Sequence, residues 1–376
     1  MKKVWSISLV LAFTHANVAR AQGLVRLSPL FGISQVYDSN LFFTPADRQA
    51  DFVTRMTPGL ESEYRSALMA LVGRYTRDIE HYADHRDLTS MNAREHASVE
   101  STYRATRRLT LVAGAELSKT QTPGELSGET TGLTFTRAAA RRVTAHSSVT
   151  RQLGRLTDGR MEYTFTEDQV AGGIGVRNHL AAVGTHHQLT PRDTVTAGYR
   201  VDQIRFETDG VPVASTTTHA LSVGWTRAVT HQARLSIEAG PYVTNGSPTA
   251  EVSASIGYRI RSVDLSLGYS RRQNTIIGLA GIARTESMTG SAAWNLLRHS
   301  LQVQVSPAFF QSVHPMVRAD VYRLAIDVDH RIANGLSVGF AVNMNRQRTV
   351  GATLTRDNIA RQTAMIRLVA APVARH

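Results

Sequence analysis

The sequence predicts an all-β protein, a single closed antiparallel transmembrane β-barrel of about 16 to 18 strands. Three observations lead to this fold class. Short stretches in which apolar and polar residues alternate recur along most of the chain. The segments between them alternate between short turns and longer polar loops. Beyond the N-terminal segment, no apolar run approaches the roughly 18 residues that a membrane-spanning helix needs.

The N-terminus has the three parts of a cleaved export signal. Two lysines follow the initial methionine, Val4 to Phe13 is apolar, and Ala19-Arg20-Ala21 matches the small-x-small cleavage pattern. The apolar run is too short to span a bilayer as a helix. The sequence therefore predicts a signal peptide over residues 1–21 and a barrel over residues 22–376, with an uncleaved anchor as the alternative.

Alternation with a period of two identifies the strands. In residues 336–345, large apolar side chains alternate with small or polar ones. The same pattern recurs in residues 109–117, 195–201, 252–258, 263–270, 301–306 and 322–329. The polar face repeatedly carries charged residues, and unpaired charges are costly in a dry core. A water-filled lumen accommodates them, so the pattern favours a barrel over the alternative, an exported soluble β-sandwich.

Eighteen strands are predicted, near residues 26–36, 52–64, 68–79, 91–103, 109–119, 130–139, 143–152, 168–188, 194–206, 216–227, 233–244, 249–259, 263–273, 285–295, 299–311, 319–330, 335–347 and 358–369. An even number places both chain ends on the periplasmic side, as in bacterial barrels. The 130–152 and 168–188 regions are poorly patterned, which leaves about 16 strands as the alternative.

The predicted connections differ in length. The short turns are 190–193, 228–232, 260–262, 297–300 and 332–335. The longer polar loops are 38–51, 120–129, 154–168, 207–215 and 273–284. Short turns at one end and long loops at the other are typical of outer-membrane barrels, in which the turns face the periplasm.

Three short motifs resemble a known family. Tyr37-Asp38-Ser39-Asn40-Leu41-Phe42, Thr57-Pro58-Gly59-Leu60 and the hairpin phrase from Pro191 to Tyr199 are similar to outer-membrane β-barrel proteins of the beta-barrel porin 2 type. The resemblance implies an outer-membrane barrel, in some members linked to exopolysaccharide production, and no catalytic residue. The chain departs from the common pattern because it ends in Val373-Ala374-Arg375-His376 without a terminal aromatic residue. Either the last strand ends earlier, near Leu368, or recognition by the insertion machinery is unusual.

The position of the charges bears on their role. The formal net charge is +12, which by itself suggests an acidic partner. Arginines predicted to lie at or beside short turns are Arg65, Arg104, Arg107, Arg108, Arg141, Arg142, Arg192, Arg227, Arg259, Arg261, Arg298 and Arg331. Many acids fall in the longer loops. This distribution indicates orientation in a membrane with anionic headgroups and argues against nucleic-acid binding.

Because successive strand residues face opposite sides of the sheet, the apolar face also predicts which charged residues point into the lumen. The predicted lumen-lining charges are Arg200, Asp202, Arg234, Glu238, Asp264, Arg272, Arg323, Asp327 and Asp329. Their mixed signs indicate packed ion pairs or a transverse field rather than a simple anion filter. Tyrosines and tryptophans near the strand ends are interpreted as girdles at the membrane interfaces.

The sequence yields no catalytic, cofactor-binding or metal site. Asp78, His81, Asp84, His85 and Asp87 cluster in one segment, but without a fixed ligand spacing. The adjacent His186 and His187 point to opposite faces of a strand. There is no Gly-x-Ser-x-Gly elbow and no phosphate-binding loop. The absence of cysteine excludes a disulfide scaffold and an acylated lipoprotein.

Three functions follow from these observations. The first is a passive porin-like channel or a polysaccharide-associated export barrel. The second is a non-conducting structural or surface-interaction barrel, whose lumen is plugged by ion pairs such as those of Arg323 and Asp327. The third is a hydrolase at the rim that uses the 78–87 cluster. The expected partners are outer-membrane lipid and lipopolysaccharide, with polysaccharide or small solutes, and no cofactor.

Overall fold

The computed structural model describes residues 23–127, 131–133, 136–297, 300–351 and 356–371. Its strands are β1 (Leu24–Asp38), β2 (Asp51–Arg65), β3 (Met69–Tyr82), β4 (Ser90–Thr106), β5 (Leu109–Thr120), β6 (Ala140–Gln152), β7 (Thr157–Val170), β8 (Gly175–Gln188), β9 (Asp193–Thr208), β10 (Val211–Ala228), β11 (Ala233–Thr244), β12 (Ser247–Ile260), β13 (Val263–Thr275), β14 (Ile282–Leu296), β15 (Leu301–His314), β16 (Val317–Ala333), β17 (Leu336–Gly351) and β18 (Arg356–Ala370). They form one 18-stranded sheet.

Every strand pairs antiparallel with its neighbours in sequence, and β1 also pairs with β18, which closes the sheet. The predicted closed antiparallel barrel is confirmed, with 18 strands. Short helical segments lie in the connections, a 3₁₀ turn at Arg86–Leu88 and α1 (Gly124–Ser127). Within the described ranges, no helix has the length and apolar character of a membrane span.

The two faces of the sheet differ as the alternation predicts. On β17, Phe340 and Met344 expose 43% of their surface although they are large and apolar. The intervening positions carry Gly339, Ala341 and Asn343. A closed sheet must turn one face inward, and cross-ring contacts between polar side chains, described below, identify that face. The apolar face is therefore the outside of the barrel, where it meets lipid.

The seam between the first and last strands is short. It joins eight residue pairs, from Phe31↔Ala370 to Asp38↔Thr363, against fifteen pairs between β1 and β2. An ion pair lies at one end of the seam, where Arg361 Nη2 approaches Asp38 Oδ2 at 2.5 Å. Beside it, the Asn40 amide donates to the carbonyl oxygen of Ala360 at 3.1 Å.

The two ends of the barrel differ in their connections. One end, called the loop end, carries connections 39–50, 83–89, 121–139, 171–174 and 276–281. The other, called the turn end, carries connections of two to four residues, such as 66–68, 107–108 and 261–262. The asymmetry predicted from the sequence is confirmed. β1 begins at the turn end with Leu24, and β18 ends there with Ala370.

Several predicted boundaries were wrong. The segment 154–168 is not a loop, because β7 occupies most of it and only 153–156 connects it to β6. Predicted strand 168–188 combines the end of β7 with β8. The predicted strand 130–139 is loop wherever it is described; residues 130, 134 and 135 lie outside the described part. The two errors cancel, so the strand number was right.

The boundaries around β7 were predicted wrongly because of the composition of that strand. Its outward face is apolar only at Met161, Tyr163 and Phe165, while Glu167 and Gln169 continue the same face toward the loop end. Three alternating positions are too few for a clear period of two. A related correction concerns Arg141 and Arg142, which begin β6 at the loop end and do not flank a short turn.

The predicted long loop 207–215 is also wrong. β9 and β10 join through the two-residue turn Asp209-Gly210, with φ of 50° and 80°. Positive φ at both central residues is the geometry of a tight hairpin, which an Asp-Gly pair adopts at low cost. Asn245-Gly246 forms the same kind of turn between β11 and β12. The loop end therefore carries two-residue turns beside its long loops.

Candidate functional site in the lumen

The connection 121–139, here called the crossing loop, reaches across the loop end of the barrel with its described residues Gly132 and Leu133. It links β5 to β6, yet Leu133 lies in a buried cluster with Phe310 and Val321. These two residues belong to β15 and β16, on the opposite side of the ring in strand order. A Cβ atom placed on Gly132 would lie 2.5 Å from the Phe310 ring, so the loop backbone rests directly on that wall.

A second loop meets the crossing loop from another direction. In the 276–281 connection between β13 and β14, Ile276 is fully buried and joins the Leu133 cluster. The same loop pairs with the 171–174 connection, where the Ile174 amide donates to the Gly278 carbonyl at 3.3 Å. The 276–281 loop thus reaches across several strands of the ring. Together these loops narrow the lumen at the loop end.

The near side of the crossing loop is held by four charged residues, here called the tether cluster: Arg55, Glu80, Arg94 and Glu125. Arg94 Nε donates to Glu125 Oε2 at 2.8 Å, and its Nη1 also contacts Glu80. Arg55 Nε donates to Glu80 Oε1 at 2.9 Å. Only Glu125 belongs to the loop; the others point inward from β2, β3 and β4. The cluster therefore ties helix α1 to the wall.

Neighbouring contacts reinforce this tie. The Tyr82 hydroxyl donates to Glu80 Oε2 at 2.6 Å, and the Arg137 guanidinium lies 5.0 Å from the centre of the Tyr82 ring. On the other flank, Arg142 contacts the Leu126 carbonyl and donates from Nε to Asp168 Oδ1 at 2.6 Å. Charge-assisted hydrogen bonds from β4 and β6 therefore hold the adjacent loop residues Glu125 and Leu126, and such bonds are stronger than neutral ones.

The tether is expected to resist acid. The Glu125 side chain keeps 37% of its surface exposed, so water still reaches part of the carboxylate. Although burial raises its pKa, the Arg94 guanidinium and hydrogen bonds from Arg94 and Thr120 lower the pKa of Glu125 to about 2. A depressed pKa means that the ion pair stabilises the loop above the usual value of 4.5 and that this stabilisation is lost as the pH falls through about 2.

We therefore expect single-channel conductance to stay constant from neutral pH to about pH 4.5 and to rise only below it, as the loop detaches. Planar-bilayer currents recorded at stepped pH measure this. Glu125→Gln lacks the ion pair at every pH and should show the raised conductance already at neutral pH. A wild-type rise that is complete above pH 4.5 would contradict the assignment of the tether to Glu125.

Beneath the loops, the inward faces of β7 to β14 enclose a cavity of about 680 Å³. Its lining is rich in glycine, serine and threonine, and Arg200, Glu238, Glu251 and Arg272 project from it. A smaller space of about 240 Å³ adjoins it toward the loop end and shares three of these residues, Arg200, Glu251 and Arg272. These three therefore lie where the wider part of the lumen narrows.

The structure brings several of the sequence-predicted lumen charges together at this level. Arg200 Nε donates to Asp202 Oδ2 at 2.7 Å, and Arg200 Nη2 reaches Glu251 at 3.1 Å. The second contact spans from β9 to β12 across two strands, which shows that these side chains face the inside of the ring. Within the described part of the chain, Arg272 makes no ion pair.

The other predicted lumen charges are dispersed. Asp264 pairs with Arg259 at 2.5 Å near the turn end. Asp329 pairs with Arg367 at 2.6 Å across Gly339, where any Cβ would collide with both side chains. Arg323 lies 5.7 Å from the centre of the Phe310 ring. Arg234 and Glu238 on β11, and Asp327 on β16, form no ion pair with another described residue.

The 78–87 cluster is not assembled into a site. His85 Nδ1 lies 2.8 Å from Asp51 Oδ2, and its Nε2 lies 2.8 Å from Gln49 Oε1. Asp51 also accepts the backbone amides of residues 83, 84 and 85, so it caps this loop. Asp78 and His81 occupy opposite faces of β3. Among the residues that the structure describes, no group of three His, Asp or Glu side chains is arranged to hold a metal ion.

The adjacent histidines behave as strand parity predicts. His186 pairs in register with Asp158, and His187 faces the other side of the sheet, where its Nδ1 lies 2.8 Å from the Thr157 hydroxyl.

Sequence reasoning missed most of the tether cluster. Arg55 and Glu80 are direct register partners on β2 and β3, so strand pairing contains the signal that would have identified them. The contact of Arg94 with Glu125 depends on how the crossing loop folds, and no local pattern encodes that path. The contact of Asp38 with Arg361 joins residues at opposite ends of the chain and has no local signal either.

Comparisons with known proteins bear on the fold. No protein-family model matches the chain, and no curated protein matches it, so the resemblance to the beta-barrel porin 2 type stays a prediction. The structure is similar to the crystal structure of Pseudomonas aeruginosa OpdO, at a TM-score of 0.51 and 11% identity over 92% of this chain and 97% of OpdO. It is also similar to Pseudomonas aeruginosa OpdL, at a TM-score of 0.50 and 10% identity over 92% of this chain and 99% of OpdL. At this identity the likeness shows the fold, and a closed barrel of this kind indicates an outer-membrane protein.

Proposed function

We propose that this chain is a porin-like outer-membrane channel for small hydrophilic solutes, narrowed near the cell exterior by the crossing loop. The observation that carries the proposal is the position of Leu133 against Phe310 on the far wall, above a polar cavity of about 680 Å³. A loop that folds into a polar lumen restricts its cross-section without filling the space beneath. The barrel shares its fold with outer-membrane porins, which supports the same class of function.

The charges support weak ion selectivity. The tether cluster balances Arg55 and Arg94 against Glu80 and Glu125 on one wall. On the other wall, Arg200 and Arg272 face Asp202 and Glu251. Each group is close to neutral, so neither sign of solute is attracted strongly along the whole path. Solute size, set by the crossing loop, is then the main determinant of permeation.

Two other functions can be compared with this geometry. A polysaccharide-associated export role follows from the resemblance and requires a mouth wide enough for a sugar chain, which the crossing loop opposes. A non-conducting barrel is favoured by the apolar contact of the crossing loop with the 276–281 loop, because such a contact could seal the mouth. The rim hydrolase receives no support from the positions of His81 and His85.

Planar-bilayer recording of the purified full chain separates these functions. The channel predicts stable steps of conductance with little preference between potassium and chloride in a salt gradient. Liposome swelling with sugars of increasing size should show a sharp size limit that passes monosaccharides and excludes long oligosaccharides. Folded protein that inserts into bilayers and never conducts would refute the channel and favour the non-conducting barrel.

A further inference from the structure

The outer surface of the barrel carries a cluster of arginines directly above an apolar groove. The cluster, here called the arginine patch, consists of Arg318 on β16 with Arg346 and Arg348 on β17. All three side chains are exposed on the lipid-facing side of the sheet. The groove has a volume of about 610 Å³ and is lined by residues of β13 to β18. The two features share Arg346, which lines one end of the groove.

A glycine and a proline form the floor of the groove. Gly290 on β14 and Pro307 on β15 lie side by side, and a Cβ on Gly290 would be 3.2 Å from Pro307 Cγ. The larger side chains Met288, Phe309 and Met344 stand around this floor. Because the two floor residues have little or no projecting side chain, the surface is concave where neighbouring parts of the sheet are filled.

Register places the groove and the patch at defined heights. Met288, Phe309, Tyr322 and Arg346 form one row across β14 to β17. On the next lipid-facing row toward the loop end, the same strands carry Glu286, Gln311, Asp320 and Arg348. The surface thus changes from apolar to charged within two residues along each strand. Aromatic side chains mark such a boundary at the membrane interface, so the patch lies at headgroup level.

The positive charge of the patch is poorly neutralised. Within the described ranges, Arg318 and Arg348 make no ion pair, and Arg346 Nε contacts only the Asn358 side-chain oxygen, at 3.4 Å. The nearest acid in register is Asp320, which accepts a hydrogen bond from Gln311 at 3.0 Å. Glu286, further around the ring, already faces Arg271 and Arg284 at 3.6 and 4.0 Å. The surface above the groove therefore has a net positive charge.

We infer that this surface binds lipid A, the bisphosphorylated and multiply acylated glucosamine lipid of the outer leaflet. One acyl chain lies in the groove over Gly290 and Pro307, and a phosphate contacts the arginine patch. Guanidinium groups bind phosphate through paired hydrogen bonds, and the groove supplies an apolar surface for an acyl chain over Gly290 and Pro307. The inference rests on the outer-membrane part of the proposed function and is independent of whether the lumen conducts.

Native mass spectrometry of the detergent-purified full chain, titrated with purified lipid A, tests this site. We expect the triple variant Arg318→Gln, Arg346→Gln, Arg348→Gln to bind lipid A at least about ten-fold more weakly than wild type. Arg205→Gln is the matched control, because Arg205 is exposed on the outward face of β9 near the loop end of that strand and makes no ion pair with described residues. That variant should bind like wild type.

Two further probes identify the ligand chemistry. Dephosphorylated lipid A and phosphatidylglycerol should each bind more weakly than lipid A, since the first lacks the phosphates and the second has fewer chains. Leu267→Ala, which removes an apolar side chain from the groove on β13, should weaken lipid A binding without touching the arginine patch on β16 and β17. All variants must keep the wild-type melting temperature. Equal binding of phosphatidylglycerol, or undiminished binding by the triple variant, would overturn the inference.

Discussion

Replacing residues 123–137 with a short glycine-serine linker is expected to raise single-channel conductance several-fold. The crossing loop carries Leu133 from β5 and β6 to the wall formed by β15 and β16 on the opposite side of the lumen. Its ends are already close, since the Ala138 amide donates to the Gln121 carbonyl at 3.1 Å, so a short linker can join them without moving the strands. Planar-bilayer recording measures the change.

A single substitution in the loop and a control insertion elsewhere complete this test. Leu133→Asp keeps the whole loop but places a charge in the apolar contact with Phe310, where Leu133 is 1% exposed. An unpaired charge in such a contact is costly, so the loop should detach and conductance should rise toward the value of the shortened loop. A linker of equal length inserted at the exposed Asn245-Gly246 turn should change nothing. Unaltered conductance in both loop variants would show that current does not pass beneath the crossing loop.

Glu80→Ala is expected to destabilise the barrel by about 3–5 kcal/mol. The Glu80 side chain is 2% exposed and accepts hydrogen bonds from Arg55, Arg94 and the Tyr82 hydroxyl. Its removal leaves two guanidinium groups in a confined space with fewer acids, and an uncompensated charge of this kind is costly. The free energy of unfolding in detergent, followed by the shift between folded and unfolded migration on gels, measures the effect.

Glu238→Ala is the matched control. Glu238 also faces the lumen, from β11, but it forms no ion pair among the described residues, so its loss should change stability by less than about 1 kcal/mol. Glu80→Gln separates charge from shape, because it keeps the size of the side chain and still leaves the arginines without a full negative charge. Equal stability of the Glu80 and Glu238 variants would contradict the structural role of the tether cluster.

The parts of the fold that were predictable follow local rules. Strand parity separates the faces of β17 because lipid and lumen select opposite side chains at successive residues. The same rule identified Arg200 and Asp202, which form an ion pair in the structure. It failed for β7, whose outward face becomes polar above Phe165, where the strand extends beyond the apolar zone. Where a strand extends beyond the membrane, it lacks the alternation of apolar and polar residues from which strands are predicted.

The narrowing of the lumen was beyond sequence reasoning for a different reason. Leu133 stands in a stretch that looks like a strand, because an apolar loop residue and an apolar strand residue have the same local pattern. Its partner Phe310 lies on a strand ten places further around the sheet. Contacts of this range depend on the closed ring, which exists only once every strand has paired.

The ion pair of Asp38 with Arg361 has a consequence for the size of the ring. A slip of β18 by one residue along β1 would turn its apolar side chains into the lumen, and the membrane opposes that. A slip by two residues keeps every side chain on its proper face, so lipid alone does not forbid it. Such a slip would alter the stagger of the barrel, and for a fixed number of strands the stagger sets the tilt and the diameter. It would also separate Arg361 from Asp38 and Asn40 from the Ala360 carbonyl. These two contacts, between residues more than 300 positions apart, therefore select one diameter from a series of otherwise acceptable ones.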